Sequence, residues 1–298
     1  MNAPIILFAF NRPKALMNAI NHLLENSEAC ESDLYVYVDG PRLNNESDIV
    51  RVEEVKEIVA KIEGFRSCNI KCASENLGLS SSIILGVSEV INKYGKVIVL
   101  EDDLCVTTNF LAFMNQGLGK YENVNRVYSI CGYTNRVEKP IEYTYDSYFC
   151  TRSSSWGWAT WKNRWDTVDW LLDEDKWNTF LKSQHDFNKW GGSDMSKILK
   201  GWHDGKNKSW AIRFDYNQFL NKSISLFPLK SLVDNQGFDG DGTNCKKWSR
   251  FKFDLDKSGR KNLLMPDDLN INNQLFKEAL AYSSIPIRIW SRIMYMIH

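Results

Sequence analysis

The sequence of this 298-residue chain predicts an α/β fold with a central, mostly parallel sheet flanked by helices. In the first hundred residues, short apolar runs alternate with segments whose apolar residues recur at helical spacing, as parallel strands with crossover helices require. One apolar run, residues 97–100, leads directly into Glu101, Asp102 and Asp103. Because such sheets bind ligands at their carboxyl edge and hard divalent cations take oxygen ligands, these acids predict a metal-held ligand there.

The elements of the first half follow one another in a strand–helix order. Pro13 opens the first predicted helix, since proline fits the first helical turn, and Leu16, Ile20 and Leu23 share one face of that helix. Two further helices are predicted, over residues 47–63 and 78–94. The predicted strands are residues 5–10, 34–38, 69–73 and 97–100.

Composition changes near residue 150, because all eleven tryptophans lie between Trp156 and Trp290. Shorter, aromatic elements are therefore expected in the second half. A glycine-rich segment, residues 236–243, is predicted to be a loop. Helices are predicted over residues 157–164, 177–181, 195–202 and 211–220.

Overall charge and cysteine content limit the possible partners and compartment. Lys and Arg total 37 and Asp and Glu total 37, so nucleic acid is not expected as a partner. Seven cysteines without a CxxC pair favour reduced thiols, and four histidines make a zinc site unexpected. With no signal peptide and no run of ~20 apolar residues, we expect a cytoplasmic protein.

The C-terminal residues 285–297 are apolar, aromatic and basic, and contain no acid. Such a segment resembles one that lies on an anionic bilayer, here the cytoplasmic face of the inner membrane. The alternative is an amphipathic helix that packs on the domain.

Polar residues follow the predicted strands, at positions that would meet at one edge of the sheet. Arg12 follows the first strand, Asp39 follows the second, and Asn76 precedes the third helix. Arg12 supplies charge for a diphosphate, and Asp39 and Asn76 can pair with the donor and acceptor edge of a base. For Asp39 alone, a turn residue is the alternative.

A family resemblance follows from these motifs taken together. Asn-Arg-Pro, Asp-Gly and Glu-Asp-Asp-Leu end strands, and Glu-Asn-Leu-Gly-Leu and Ser-Ser-Trp-Gly-Trp-Ala-Thr-Trp lie between and after them. Over roughly residues 4 to 245, the chain resembles nucleotide-sugar-dependent glycosyltransferases of the GT-A fold. It looks most like bacterial surface-polysaccharide enzymes akin to the animal N-acetylglucosaminyltransferase I.

The resemblance implies a Rossmann-like GT-A sheet with an aromatic-rich acceptor-side half. It divides the chain into a nucleotide-sugar-binding half (1–105), an acceptor-binding and catalytic half (106–262) and the C-terminal segment (263–298). The implied activity is inverting transfer of a hexosyl or N-acetylhexosaminyl group from a UDP-sugar, with Mn²⁺ or Mg²⁺, to a glycan or lipid-linked saccharide.

The resemblance also implies roles for individual residues of the first half. Asp103 would ligate the metal, with Asp102 near the ribose and Glu101 near the transferred sugar. The uridine and pyrophosphate would be held by Arg12, Asp39 and Asn76, although the animal enzyme has what looks like a histidine at the position of Asn76.

The catalytic base is expected in the second half. An inverting mechanism needs one carboxylate within hydrogen-bond reach of the acceptor hydroxyl. In the family, the base precedes a helix between the Trp-Gly-Trp segment and a Trp-Ala-Ile-Arg-like segment, and residues 191–195 fill that position. The resemblance therefore favours Asp194, whose alternative role is a helix N-cap. Asp215 is the second candidate.

Trp156, Gly157 and Trp158 are predicted to form the floor beside the donor sugar, because glycine allows close approach and indole faces stack on pyranoses. The alternative is that tryptophans at helical spacing pack in the core. Residues 237–243 are predicted either to close over bound donor or to be an ordinary surface loop.

Two other classes of function are the alternatives. A sugar nucleotidyltransferase also uses acids and a metal, but typically opens with a glycine-rich phosphate loop, and residues 8–12 contain no glycine. A non-catalytic carbohydrate-binding protein would use the tryptophans for glycan and the acids for structural Ca²⁺. Metal-dependent binding of a UDP-sugar separates that class from a transferase.

Overall fold

The computed structural model describes residues 2–238, 251 and 253–297. The strands are β1 (Ile5–Ala9), β2 (Asp33–Val38), β3 (Ser67–Cys72), β4 (Lys96–Glu101), β5 (Leu104–Val106), β6 (Val127–Cys131), β7 (Ser147–Cys150), β8 (Trp158–Trp161), β9 (Ile224–Pro228) and β10 (Val233–Asn235). The α-helices are α1 (Pro13–Leu24), α2 (Glu46–Val59), α3 (Leu79–Tyr94), α4 (Phe110–Lys120), α5 (Lys162–Trp165), α6 (Glu174–Gly191), α7 (Met195–His203), α8 (Ala211–Leu220), α9 (Asn273–Ala281) and α10 (Ile285–Ile297).

Eight strands form one sheet in the order β3-β2-β1-β4-β8-β6-β9-β7. The pairs β1–β2, β1–β4, β2–β3 and β6–β9 are parallel, whereas β4–β8, β6–β8 and β7–β9 are antiparallel. The predicted α/β class with a mostly parallel sheet flanked by helices is therefore confirmed. Strands on both sides of residue 105 pair within this sheet, and β5 and β10 form a small second sheet.

The two faces of the sheet carry separate apolar clusters, because successive strand side chains point to opposite faces. Ile5 and Leu7 of β1 pack with apolar residues of α1, α2 and α4. Ile6 and Phe8 pack instead with residues of α3 and with Trp158. The helices thus cover both faces, and the polar ends of the strands remain at the sheet edge.

The helix predicted over residues 157–164 is wrong. Residues Trp158–Trp161 form β8, which lies between β4 and β6, and only one helical turn, α5, follows. Trp158 belongs to one apolar cluster, whereas Ala159 and Trp161 belong to the other, which is the two-residue alternation of a strand buried on both faces. The spacing of the tryptophans matched a helix by coincidence.

The other second-half predictions agree better with the structure. Helices α7 and α8 match the predicted residues 195–202 and 211–220, whereas the predicted 177–181 lies within the much longer α6. Most of the predicted glycine-rich loop, residues 239–243, lies outside the described residues. In the described part of the chain, no helix has the length and apolar character needed to cross a bilayer.

Candidate functional site

The ends of β1 and β4 bring three acids and an arginine together. These strands pair with Phe8 opposite Glu101, so Asp102 and Asp103 follow at the carboxyl edge of the sheet. The Phe10 amide donates to Asp102 Oδ2 at 3.0 Å. Arg12 Nη1 lies 2.7 Å from Asp103 Oδ2. The acidic tip, defined as residues 101–103, is therefore held by the loop that follows β1.

Electrostatics at the acidic tip favour a cation. Burial, together with the charge of Asp103, raises the pKa of Glu101 to about 8 and that of Asp102 to about 7. Arg12 opposes both shifts, but one guanidinium does not balance three carboxyl groups. A divalent cation would favour the charged forms of these acids and lower their pKa values.

A metal at the tip would need further ligands from a bound molecule. Among residues 2–238, 251 and 253–297, no three or more His, Cys, Asp or Glu side chains form a group that could hold a metal ion. Asp103 offers a hard carboxylate donor whose side chain is 15% exposed. Mg²⁺ is commonly bound by one or two carboxylates together with phosphate oxygens and water, and this donor set suits that arrangement.

Asp39 and Asn76 meet at the same edge, but they bond to each other. Asn76 Nδ2 donates to Asp39 Oδ2 at 3.1 Å and to the Gly40 carbonyl at 2.9 Å. The Asp39 carboxylate also accepts from the backbone amides of Gly40, Leu77 and Gly78. Four donors occupy this carboxylate, as the turn-residue alternative describes, and the pairing of Asp39 with a base stays a prediction. In this structure Asp39 fixes the loop that precedes α3.

A second arginine, Arg42, lies at this edge of the sheet and was not among the candidates identified from the sequence. Arg42 binds Asp48 through both Nε and Nη2, and lies over the Phe10 ring at 5.5 Å. Asn11 Nδ2 donates to the same Asp48 at 2.7 Å. The guanidinium holds the pKa of Asp48 down at about 2. These contacts fix the loop that carries Arg12, and no local motif marks them because Arg42 and Asp48 lie in another loop and helix.

A cavity of about 200 Å³ lies in the second half of the chain and contains one of the two candidate bases. We call it the Asp215 cavity. Its wall combines aromatic, hydroxyl-bearing and charged side chains, including Tyr133, Tyr148, Arg152, Ser153, Trp156 and Asp215. Aromatic faces with hydroxyl groups suit a sugar ring, which has apolar faces and a polar rim.

Asp215 is a buried carboxylate with a raised pKa. It is buried on α8 and accepts hydrogen bonds from the amide and the hydroxyl of Ser153, at 2.9 and 2.7 Å. Burial raises its pKa to about 6, although the charge of Arg152 acts in the opposite direction. A carboxylate with such a pKa is ionised at neutral pH and accepts a proton more readily than an ordinary aspartate.

Asp194 is held in an ion pair. Its Oδ1 lies 2.9 Å from Arg152 Nη1, which also bonds Ser283 Oγ at 2.8 Å. Asp194 occupies the N-cap position of α7, as the alternative predicts, but its side chain makes no capping hydrogen bond. It is not among the residues that line the Asp215 cavity. The geometry therefore favours Asp215 over the first choice, Asp194.

The Trp156–Trp158 segment divides into a cavity wall and a core residue. Trp156 lines the Asp215 cavity, with the Tyr133 ring 4.5 Å away. Gly157 has a φ of 65°, and a Cβ there would lie 2.8 Å from Val233, so glycine is required. Trp158 is 2% exposed and stacks on Trp210, which corrects the prediction that Trp158 contacts sugar.

A short segment after β10 joins the acidic tip to the cavity. The Gln236 amide donates to the Asp103 carbonyl at 2.9 Å. A Cβ on Gly237 would lie 2.3 Å from Asp103 Oδ2, so only glycine lets the chain pass so close. The next residue is Phe238, and the centroid of its ring lies 5.7 Å from that of the Trp156 ring. The three consecutive residues 236–238 thus contact both the acidic tip and the wall of the Asp215 cavity.

A second cavity, of about 350 Å³, lies against β2, β3 and α3. Its lining residues include Tyr35, Lys71, Glu89 and Lys93, and none of the predicted site residues. Two of these residues, Lys71 and Glu89, form an ion pair. This cavity therefore lies apart from the residues that are expected to bind ligand at the sheet edge.

Comparisons with known proteins give distant likenesses. No protein-family model matches the chain. The S. aureus protein TarS is 11% identical over 47% of this chain and 23% of TarS, with a TM-score of 0.30. Mouse xyloside xylosyltransferase 1, solved in its apo form, is 11% identical over 76% of this chain and 84% of the mouse chain, with a TM-score of 0.40. Likenesses this distant assign no activity to the chain.

Proposed function

We propose that this chain is a metal-dependent inverting glycosyltransferase that transfers a hexosyl or N-acetylhexosaminyl group from a UDP-sugar to a glycan or lipid-linked saccharide in bacterial surface-polysaccharide synthesis. One observation carries the proposal. The segment Gln236 to Phe238 contacts the acidic tip at Asp103 and the wall of the Asp215 cavity at Trp156. A donor site and an acceptor site must be neighbours in this way.

The acidic tip supports the donor end of this proposal. Asp103 would hold Mn²⁺ or Mg²⁺, which when bound supplies positive charge to the leaving diphosphate. Arg12 adds a permanent positive charge beside Asp103. Asp102 and Glu101 extend the edge toward the ribose and the transferred sugar. Asp39 and Asn76 shape the loop that faces the nucleotide, so their effect on the base is through backbone position.

The Asp215 cavity supports the acceptor end. Asp215 takes the proton from an acceptor hydroxyl while the hydroxyl oxygen forms a bond to the anomeric carbon and the bond from that carbon to the diphosphate oxygen breaks. Ser153 fixes the carboxylate through two hydrogen bonds, so it is oriented before the acceptor binds. Trp156 and Tyr133 offer aromatic faces to the sugar.

The same aromatic wall favours one other candidate, a carbohydrate-binding protein without catalytic activity. That protein would bind glycan in the Asp215 cavity and would gain nothing from a nucleotide. The raised pKa of Asp215 favours catalysis, since simple sugar binding needs no base.

We assign the reaction to the cytoplasm. The six cysteines in the described part of the chain are free thiols, as a reducing compartment favours.

Donor binding and turnover test the function directly. The purified chain, titrated calorimetrically with UDP, is expected to bind only when Mn²⁺ or Mg²⁺ is present, and a panel of UDP-sugars is expected to yield one from which UDP is released. Glycan binding without any effect of nucleotide or metal would instead identify a lectin.

A further inference from the structure

Helix α10 exposes its more apolar side. Ile285, Ile289 and Ile293 recur every four residues and are 59%, 54% and 45% exposed. Trp290, on the same side, is 49% exposed. A surface helix normally turns its apolar stripe toward the core, whereas α10 turns its apolar stripe toward solvent. Apolar side chains exposed side by side along one helix point to an interaction surface.

The opposite side of α10 carries polar groups toward the protein. Arg288 Nη1 donates to Ser193 Oγ at 3.0 Å, and Ser291 is 1% exposed. These polar side chains share the inward side with the partly buried Ile287 and Met294. The Arg288–Ser193 hydrogen bond therefore ties this side of the helix to the protein and leaves the isoleucines outward.

The start of α10 is tied to the wall of the Asp215 cavity. Ser283, two residues before the helix, lines the cavity and accepts from Arg152 at 2.8 Å. Its carbonyl accepts from Ser193 Oγ at 2.6 Å, and Ser193 in turn accepts from Arg288. A surface that binds α10 would therefore lie close to the acceptor end of the site.

We propose that the exposed side of α10 binds an anionic bilayer surface, and that the acceptor is consequently a saccharide carried on a membrane lipid. The part that concerns the acceptor rests on the proposed function. The helix lies flat, with its isoleucines and Trp290 among the acyl chains and Arg292 at the headgroups.

Charge selects the bilayer over other occupants. Arg292 is exposed on the same side as the isoleucines, and the helix contains no acidic residue. A basic, aromatic and apolar side matches anionic headgroups above acyl chains. In a dimer formed through two α10 helices, each Arg292 would face a helix that offers no acid to pair with it.

Flotation on vesicles tests the proposal. The full chain is expected to float with vesicles of phosphatidylcholine and phosphatidylglycerol, and less with phosphatidylcholine alone. The triple variant Ile289→Gln/Trp290→Gln/Ile293→Gln is expected to stay at the bottom of the gradient. Arg292→Gln is expected to weaken binding to the anionic vesicles about fivefold, the value of one basic residue near such a surface.

A matched variant controls for loss of exposed apolar side chains in general. Leu43→Gln/Ile141→Gln/Leu171→Gln changes three side chains that are 90%, 104% and 85% exposed elsewhere, and is expected to float like the unmodified chain. Thermal unfolding verifies that both triple variants fold. Flotation of the α10 variant equal to the control, or no flotation of the unmodified chain, overturns the proposal, as does a dimer that only the α10 variant loses.

Metal-dependent UDP binding, measured by calorimetry without vesicles on the same samples, separates the two proposals. The α10 variant is expected to keep this binding, because the acidic tip is unchanged. Absence of metal-dependent UDP binding in every sample contradicts the proposed function, whereas the flotation result stands by itself.

Discussion

Arg152 and Ser153 are adjacent in the chain, and each holds a different buried aspartate. Arg152 Nη1 lies 2.9 Å from Asp194 Oδ1, and Ser153 donates two hydrogen bonds to Asp215 Oδ1. Because the guanidinium is committed to Asp194, it lowers the pKa of Asp215 without bonding to it. Asp215 is thus left as the acid with the raised pKa and a place in the cavity wall.

Substitution of Asp215 tests the assignment of the base. Asp215→Asn is expected to reduce kcat by about 10²–10⁴-fold, the usual contribution of a general base, and to leave UDP affinity unchanged. Asp194→Asn serves as the matched change and is expected to retain most of the turnover. The reverse result, with Asp194→Asn inactive and Asp215→Asn active, would return the role of base to Asp194.

The raised pKa of Asp215 predicts a pH dependence. The base acts when it is ionised, so kcat is expected to fall about tenfold per pH unit below pH 6 and to level off above it. The charge of Asp194 raises the pKa of Asp215, so Asp194→Asn is expected to move the acid limb to lower pH. A pH–rate profile of both proteins checks this, and an unmoved limb would assign the ionisation to another group.

The acidic tip predicts the metal dependence of donor binding. Asp103→Asn removes the carboxylate expected to ligate the cation and is predicted to abolish the effect of Mn²⁺ on UDP affinity in a calorimetric titration. Asp166→Asn, in an exposed i,i+4 pair with Lys162, changes the same charge at the surface and is expected to have no effect. Undiminished metal dependence in Asp103→Asn contradicts the site.

Gly237 predicts a steric effect at the link between tip and cavity. Gly237→Ala places a Cβ about 2.3 Å from Asp103 Oδ2 and must displace the segment or the carboxylate, so weaker metal-dependent UDP binding is expected. Gly119→Ala, whose Cβ meets nothing within 4 Å, is the control. Equal UDP affinity of the two variants would show that the segment shifts without consequence for the donor site.

The two tryptophans of the Trp-Gly-Trp segment are predicted to differ in kind. Trp158→Ala removes a buried core side chain and is expected to lower the free energy of unfolding by about 3–5 kcal/mol in a urea titration. Trp156→Ala is expected to cost less stability and to raise the KM for the acceptor, since Trp156 lines the cavity. Similar loss of stability in both variants would contradict this division.

Local patterns were sufficient for the first half of the chain. Its strands and helices were predicted within a few residues, because alternation of apolar runs with amphipathic helices is a short-range signal. The position of the acidic tip followed from the end of β4. Arg12 and Asp103 were predicted only to share this sheet edge, and their ion pair depends on the parallel pairing of β1 with β4.

The second half required tertiary information. Residues Trp158–Trp161 became a strand because a place between β4 and β6 was available, which no local spacing encodes. The choice between Asp194 and Asp215 depended on Arg152, more than forty residues from one and sixty from the other. The satisfied carboxylate of Asp39 likewise depends on amides at the start of α3.

The contact between Ser283 and Arg152 has a practical consequence for any shortened form of this protein. A protease that trims the tail before residue 283 removes not only α10 but also a hydrogen-bond acceptor of Arg152 and part of the cavity wall. A clipped preparation would then lose saccharide recognition even in detergent, where no bilayer is involved. The mass of the intact chain should therefore be measured for every inactive sample.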